Sequence, residues 1–276
     1  MGTEMSPALE GLLEILALER IDKHLFRAFH PGDREHRLYG GQIMAQALRA
    51  AAYTVAEDRF VHSLHGYFLR SGDPSVPALI DVEAIRDGRS FSTRRVVVIQ
   101  HGQAIFNMDA SFQVTESGLE HQVAGPDRSP PTDAMVPREM RTWAFLGWRH
   151  DHKRLSSSEA QPPRQDLWFK ANGTLPDDPV LHACLAVYES DNALLGTARL
   201  PHRDVMVRER MQMASLDHAM WFHARPGVAW RADEWLLYSL DSPSASQSRG
   251  YNRGQIFSAG GTLVASTMQE GLMRQR

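Results

Sequence analysis

HGQAIFNMDASFQ at residues 101–113 and GGTLVASTMQEGL at residues 260–272 decide how this chain is built. In the first, Phe106, Met108, Ala110, Phe112 and, one residue beyond, Val114 share one face, while Asn107, Asp109, Ser111 and Gln113 share the other. That period of two belongs to a strand with one buried side. In the second, Leu263, Ala265 and Thr267 point one way and Val264, Ser266 and Met268 the other. Laid over each other at an offset of 159, the two stretches put Gln269 on Ala110. An amide has replaced a small apolar residue on an inward face. A buried amide is costly unless hydrogen-bonded, so Gln269 is expected to have polar partners.

The repetition extends outward. HSLHGYFLR (62–70) resembles SLDHAMWFH (215–223), with His65 over His218 at an offset of 153. The expected helix starts, Gly41-Gln42 and Asp191-Asn192, match at 150. Offsets that grow slowly in constant order indicate a duplicated module with small loop insertions. Ahead of the first module, Ser6-Pro7 reads as the cap and first turn of a helix reaching about Leu16. IDKHLFRAFH reads as a strand and YGGQIMAQALRAAAYTV as a helix, with strands at 61–70, 78–86, 90–100 and 103–114. In the second module DNALLGTARL reads as a short helix ended by Pro201, followed by strands at 213–223, 234–242, 249–258 and 262–270. Each half is therefore a strand, a helix and four antiparallel strands, an α+β arrangement with the helix on a sheet. The expected division is an N-terminal module at 1–115, a linker at 116–163 and a C-terminal module at 164–276. Pro126, Pro130, Pro131, Pro137, Pro162 and Pro163 deny the linker long regular elements. Trp143, Phe145 and Trp148 are expected to dock it.

Composition narrows the classes. The 276 residues are 42% hydrophobic and 23% charged, which fits a packed core rather than disorder. A net charge of −3 gives no general pull towards nucleic acid or an anionic membrane. The single cysteine, Cys184, forms no internal disulfide and reads as a buried structural thiol. The acidic, apolar N-terminus does not read as a signal peptide, no window approaches the roughly 18 apolar residues of a membrane span, and the end RQR is no peroxisomal address. The cytoplasm is the expected location.

GxSxG, HExxH, Walker and GxGxxG motifs are absent. His150 and His152 in RHDHKR (149–154) read as a solvated charged loop, so no metal site is expected. Asp191 in SDNALL reads as a helix N-cap, where unpaired N–H groups and the helix dipole favour a carboxylate. Ser215 reads as a strand hydroxyl. Asp217 and His218 are neighbours on a strand, so they face opposite ways and cannot serve one site together. His65 and His218, matched in the repeat, read as structural.

LYGGQIMAQALRAA, VHSLHGYFLRSGDPSVP, IRDGRSFSTRRV, ANGTLPDD, LDHAMWFH, EWLLYSLDSPSASQSRGYNRGQIFS and GTLVASTMQEG together resemble the type II acyl-CoA thioesterases, in order and over about residues 9–276. The resemblance implies a double hot-dog fold, two tandem modules each with an antiparallel sheet wrapped around a helix. It implies hydrolysis of fatty acyl-CoA to fatty acid and CoA, with no metal or cofactor. It implies three catalytic residues: Asp191, Ser215, where many bacterial relatives have threonine, and Gln269. A thioester carbonyl is electrophilic enough for a positioned water, with Asp191 as general base and Ser215 and Gln269 holding the water. Backbone N–H groups of Gly40 and Gly41 are candidates for the oxyanion. Arg94, Arg95, Arg249 and Arg253 are candidates for the CoA phosphates by charge. The competing readings are a hot-dog hydratase acting on enoyl thioesters and a non-catalytic acyl-CoA binder. Exposed sheet edges lead to the expectation of a homo-oligomer.

Overall fold

The computed structural model describes residues 4–30, 37–149, 158–207 and 210–276. His150 and His152 lie outside them. Ser6 caps the first helix, α1 (Pro7–Leu16), its hydroxyl accepting from Leu9 N–H at 3.2 Å. IDKHLFRAFH yields a shorter strand than expected: β2 (Leu25–Ala28), which folds back on β1 (Glu19–Arg20). The long helix α2 (Gly40–Ala52) follows, then β3 (Arg59–Phe68), β4 (Ala78–Asp87), β5 (Phe91–Gln100) and β6 (Gln103–Val114). Phe106, Met108, Ala110 and Phe112 are buried, as their alternation requires.

The expected linker holds more structure than its prolines suggest. Phe145–Arg149 form β7, which pairs with β8 (Arg164–Ala171). Phe145 is buried, Trp148 packs with the buried Trp168 and Phe257, and Trp143 is half exposed. The prolines precede and follow this strand, and a five-residue element escapes them.

The second helix corrects the reading of DNALLGTARL. It is α3 (Pro179–Ala198), twenty residues long, with Asp178 as N-cap accepting from Val180 and Leu181 N–H. Asp191 therefore stands inside the helix and caps nothing there. The remaining strands are β9 (Met211–Ser215), β10 (Asp217–Phe222), β11 (Leu236–Ser246), β12 (Arg249–Ser258) and β13 (Leu263–Gln275).

Among the described residues these strands form one sheet in the order β1-β2-β4-β5-β6-β3-β10-β13-β12-β11-β8-β7, with β9 also on β13 and every ladder antiparallel. Strands 2-4-5-6-3 of one half mirror 8-11-12-13-10 of the other, and the halves join where β3 meets β10. This is the double hot-dog architecture. The helices lie against the inward faces and run antiparallel to each other: Arg49, late in α2, meets the α3 cap Asp178 at 2.7 Å, while the start of α2 meets the middle of α3. One apolar cluster, from Leu9 to Ala265, draws on both halves.

The sheet also corrects the repeat. Leu64 pairs with Ala110 on β3 and β6, and His218 stands one step from Ala219↔Met268, opposite Gln269. With Gln269 over Ala110, Leu64 rather than His65 lies over His218, so that stretch needs an offset of 154. Facing agrees: Leu64 and His218 are buried, whereas His65 is half exposed on the outer face, 3.3 Å from Asp217. The matched-histidine argument for a structural role therefore falls.

Candidate active site

Four elements meet at Asp191. It lies on α3, whose neighbours Glu189 and Ser190 are buried. Ser215 ends β9 opposite Gly271 of β13, and Gln269 is two residues earlier on the same inward face of β13. Alternation thus puts the hydroxyl and the amide side by side. The start of α2 closes the group from the other module.

The bonds all converge on one carboxylate. Ser215 Oγ donates to Asp191 Oδ1 at 3.0 Å, and Gln269 Nε2 donates to the same oxygen at 2.6 Å. Asp191 Oδ2 accepts from Gly41 N–H at 3.1 Å. The helix start expected around Asp191 does contribute an N–H and a favourable dipole, but from the partner module's helix. Gly41 is a glycine because a Cβ there would lie 2.2 Å from Tyr188 O, and at Gly40 a Cβ would lie 2.7 Å from Asp191 Oδ2. Tyr39, stacked edge-on against Tyr188, donates to Tyr188 O at 3.0 Å, and burial holds its phenol firmly protonated.

Asp191 and Ser215 line a cavity of about 490 Å³. Ile43, Phe68, Leu195, Met213 and Leu216 supply its apolar walls, and Gly40 lines it too. Arg37 and Arg70 stand at its exposed rim, donating to Met213 O and Ala104 O.

Behind the cavity, Gln269 Nε2 lies 3.1 Å from His218 Nδ1, and His218 Nε2 lies 3.0 Å from Ser190 Oγ. Asp217 points away, accepting from Glu270 N–H at 2.7 Å, as strand geometry requires of the neighbour of an inward residue.

The structure thus brings Asp191, Ser215, Gln269, Gly40 and Gly41 together. It does not bring the four expected arginines to them, for none lines this cavity. Arg94 is 2% exposed and bonds Thr54, Asp87, Arg86 O and Thr93 O, so it braces β5 and has no reach to a phosphate. Arg95 is engaged by Asp109, Arg249 by Glu270 and Arg253 by Asp241. Charge alone could not separate these from Arg37 and Arg70. The useful signal was proximity in sequence to the glycines and to the end of β3. Cys184 is buried, its thiol pushed up to about 12, in keeping with an inert structural role.

Comparison with known proteins adds a second line. Residues 149–272 match the sequence model of the acyl-CoA thioesterase family, and residues 30–113 match that of the acyl-CoA thioesterase N-terminal domain. The chain is 42% identical to acyl-coenzyme A thioesterase 8 of Mus musculus, over 98% of this chain and 92% of that protein. It is similar to the crystal structure of an acyl-CoA thioesterase II from Mycobacterium marinum, at 45% identity and a TM-score of 0.83, covering 96% of this chain and 98% of that one. A hot-dog protein from Alicyclobacillus acidocaldarius superposes at a TM-score of 0.77 with 20% identity, covering 96% and 98%, which is a likeness of fold.

Proposed function

The chain belongs to the acyl-CoA thioesterase family and hydrolyses acyl-CoA thioesters; from that premise we propose that Asp191, Ser215 and Gln269 hold and activate the attacking water. The observation that carries the reading is the convergence of a hydroxyl and an amide on one carboxylate oxygen beside an apolar cavity. Asp191 takes a proton from the water as general base. Ser215 and Gln269 fix the water's position and free the remaining lone pair for the carbonyl. The hydroxide oxygen bonds to the carbonyl carbon, the tetrahedral adduct collapses, and the C–S electron pair leaves with sulfur. The proton on Asp191 passes to the departing CoA thiolate. No acyl-enzyme is needed.

Gly41 N–H already serves Asp191, so its role is to hold the base. Gly40, one residue nearer the helix start, offers the developing oxyanion the first N–H of α2. Fatty acyl chains suit the apolar walls, and Arg37 and Arg70 at the rim suit the CoA phosphates.

Among the described residues no helix is long and apolar enough to cross a membrane. We assign the enzyme to the cytoplasm and to a homo-oligomer. Half-exposed Tyr67 on β3, and partly exposed Trp221 on β10 and Met268 on β13, support association through the outer face of the central strands.

Free-thiol release from a panel of acyl-CoAs tests the reading. Asp191→Asn is expected to lower kcat by about 10²–10⁴-fold, and Ser215→Ala and Gln269→Ala by roughly 10–10³-fold. Full activity in all three variants would overturn the assignment of the site. Crotonyl-CoA hydration, or tight binding without turnover, would favour the competing readings.

A further inference from the structure

We infer that His218 is a positioning residue for the reaction: it fixes the Gln269 amide in the orientation that leaves Gln269 Oε1 as a standing acceptor at the site. This rests on the reading that Gln269 helps to hold the water.

The direction of each hydrogen bond follows from one that has no alternative. The Ser190 hydroxyl donates its single proton to Val187 O at 2.8 Å. Towards His218 it is therefore an acceptor, so His218 Nε2 carries the ring proton and donates at 3.0 Å. In the neutral ring Nδ1 is then bare and requires a donor. Gln269 Nε2, at 3.1 Å, supplies it. The other proton of that amide goes to Asp191 Oδ1. Both amide protons are committed, and Gln269 Oε1 is buried with no hydrogen-bond partner among the described residues. A buried acceptor of this kind is costly unless a donor from outside the chain meets it. The water that Asp191 activates is such a donor.

Asp191 alone would not keep this arrangement through a turnover. Once it has taken the proton, its Oδ1 no longer demands a donor, and the amide could turn to present Oε1 instead. Nδ1 of a neutral His218 does not change in that step. It holds the nitrogen where it is, so Oε1 remains in place for the next water. Burial favours the neutral ring and lowers its pKa, against the opposing pull of Asp191 and Asp217 and with a small push from His65. The ring is 0% exposed, so its place is set by packing.

Two polar substitutions separate this role from plain packing. In His218→Asn the side-chain oxygen falls near the position of Nδ1 and still accepts from Gln269. In His218→Gln the polar end falls near Nε2, towards Ser190, and leaves Gln269 unheld. The readouts are kcat and KM for CoA release, with a thermal midpoint for each variant. His218→Asn is expected to keep kcat within about 5-fold, and His218→Gln to lose roughly 10–100-fold with KM little changed. In a Gln269→Ala background, His218→Gln is expected to lower the residual kcat no further. Equal kcat in the two variants, or the reverse order, would overturn the proposal. So would the same fold loss with and without Gln269, which is the mark of a merely structural residue. A fully active Gln269→Ala would overturn this inference together with the role of Gln269 on which it depends, whereas an inactive Gln269→Ala beside a fully active His218→Gln would remove His218 alone.

Discussion

Arginines show how residue type and residue position part company. Arg94 and Arg37 are the same side chain, yet one is walled into β5 and the other stands at the mouth of the cavity. Truncating Arg94 strands the carbonyls of Thr54 and Arg86 and opens a void. Arg94→Ala is expected to cost about 2–4 kcal/mol and to lower the melting temperature, leaving KM for acyl-CoA unchanged. Arg37→Glu is expected to do the opposite, raising KM several-fold and weakening its salt dependence at nearly constant stability. Matched denaturation curves and KM values at two ionic strengths check the pair. At this scale the sequence carried Gln269 well, because a polar residue on an apolar face is an anomaly that alternation exposes. It could not carry His218, because a repeat alignment wrong by one residue turns every side chain to the other face.

Helix α3 was half legible. Its second half, DNALLGTA, carries a helix signal in the sequence, but LHACLAVYES carries none, since a helix buried on nearly all sides shows no polar stripe. The start signal was nonetheless present in DDP, an Asp cap followed by Pro at the first turn. Strands with one wet face, such as β5, β6 and β12, were legible. By contrast, β7 hides among prolines, β8 is buried on both faces from Leu167 to Phe169, and the stretch 213–223 gives no sign of the break that divides β9 from β10. Burying so much of α3 leaves Glu189 as a carboxyl without water, its pKa pushed up to about 7 chiefly by desolvation. Folding therefore favours the protonated acid, and stability is fully present below the ordinary value of about 4.5 and lost as pH rises through about 7. The loss amounts to about 3 kcal/mol. Glu189→Gln keeps the bond from Asn192 and removes the titration. Its stability is expected to equal the wild type's at pH 5 and to exceed it at pH 8. Urea midpoints at the two pH values measure this, and parallel pH profiles would contradict it.

The duplicated plan of the whole molecule was readable from two strands, since repeated alternation at a steady offset leaves few other architectures. The joining of the halves into one sheet was not, because hydrogen bonds between β3 and β10 leave no trace in either strand's own pattern. With one core running through both halves, the chain is expected to unfold in a single step despite its length. All six tryptophans lie at or after Trp143. Tryptophan fluorescence thus watches the second half and the segment before it, while circular dichroism watches both. Coincident midpoints are expected, and a displaced fluorescence midpoint would mean that the halves unfold separately. The seam at β3 and β10 bears on symmetry as well. Two separate identical modules meeting this way would place the same residues at both related positions, and any change made for one centre would be imposed on the other. Covalent fusion lifts that constraint. Here one position holds His218 and Gln269 and the other Leu64 and Ala110. One half is left free to optimise packing, and the chain is expected to carry a single reactive centre for its two modules.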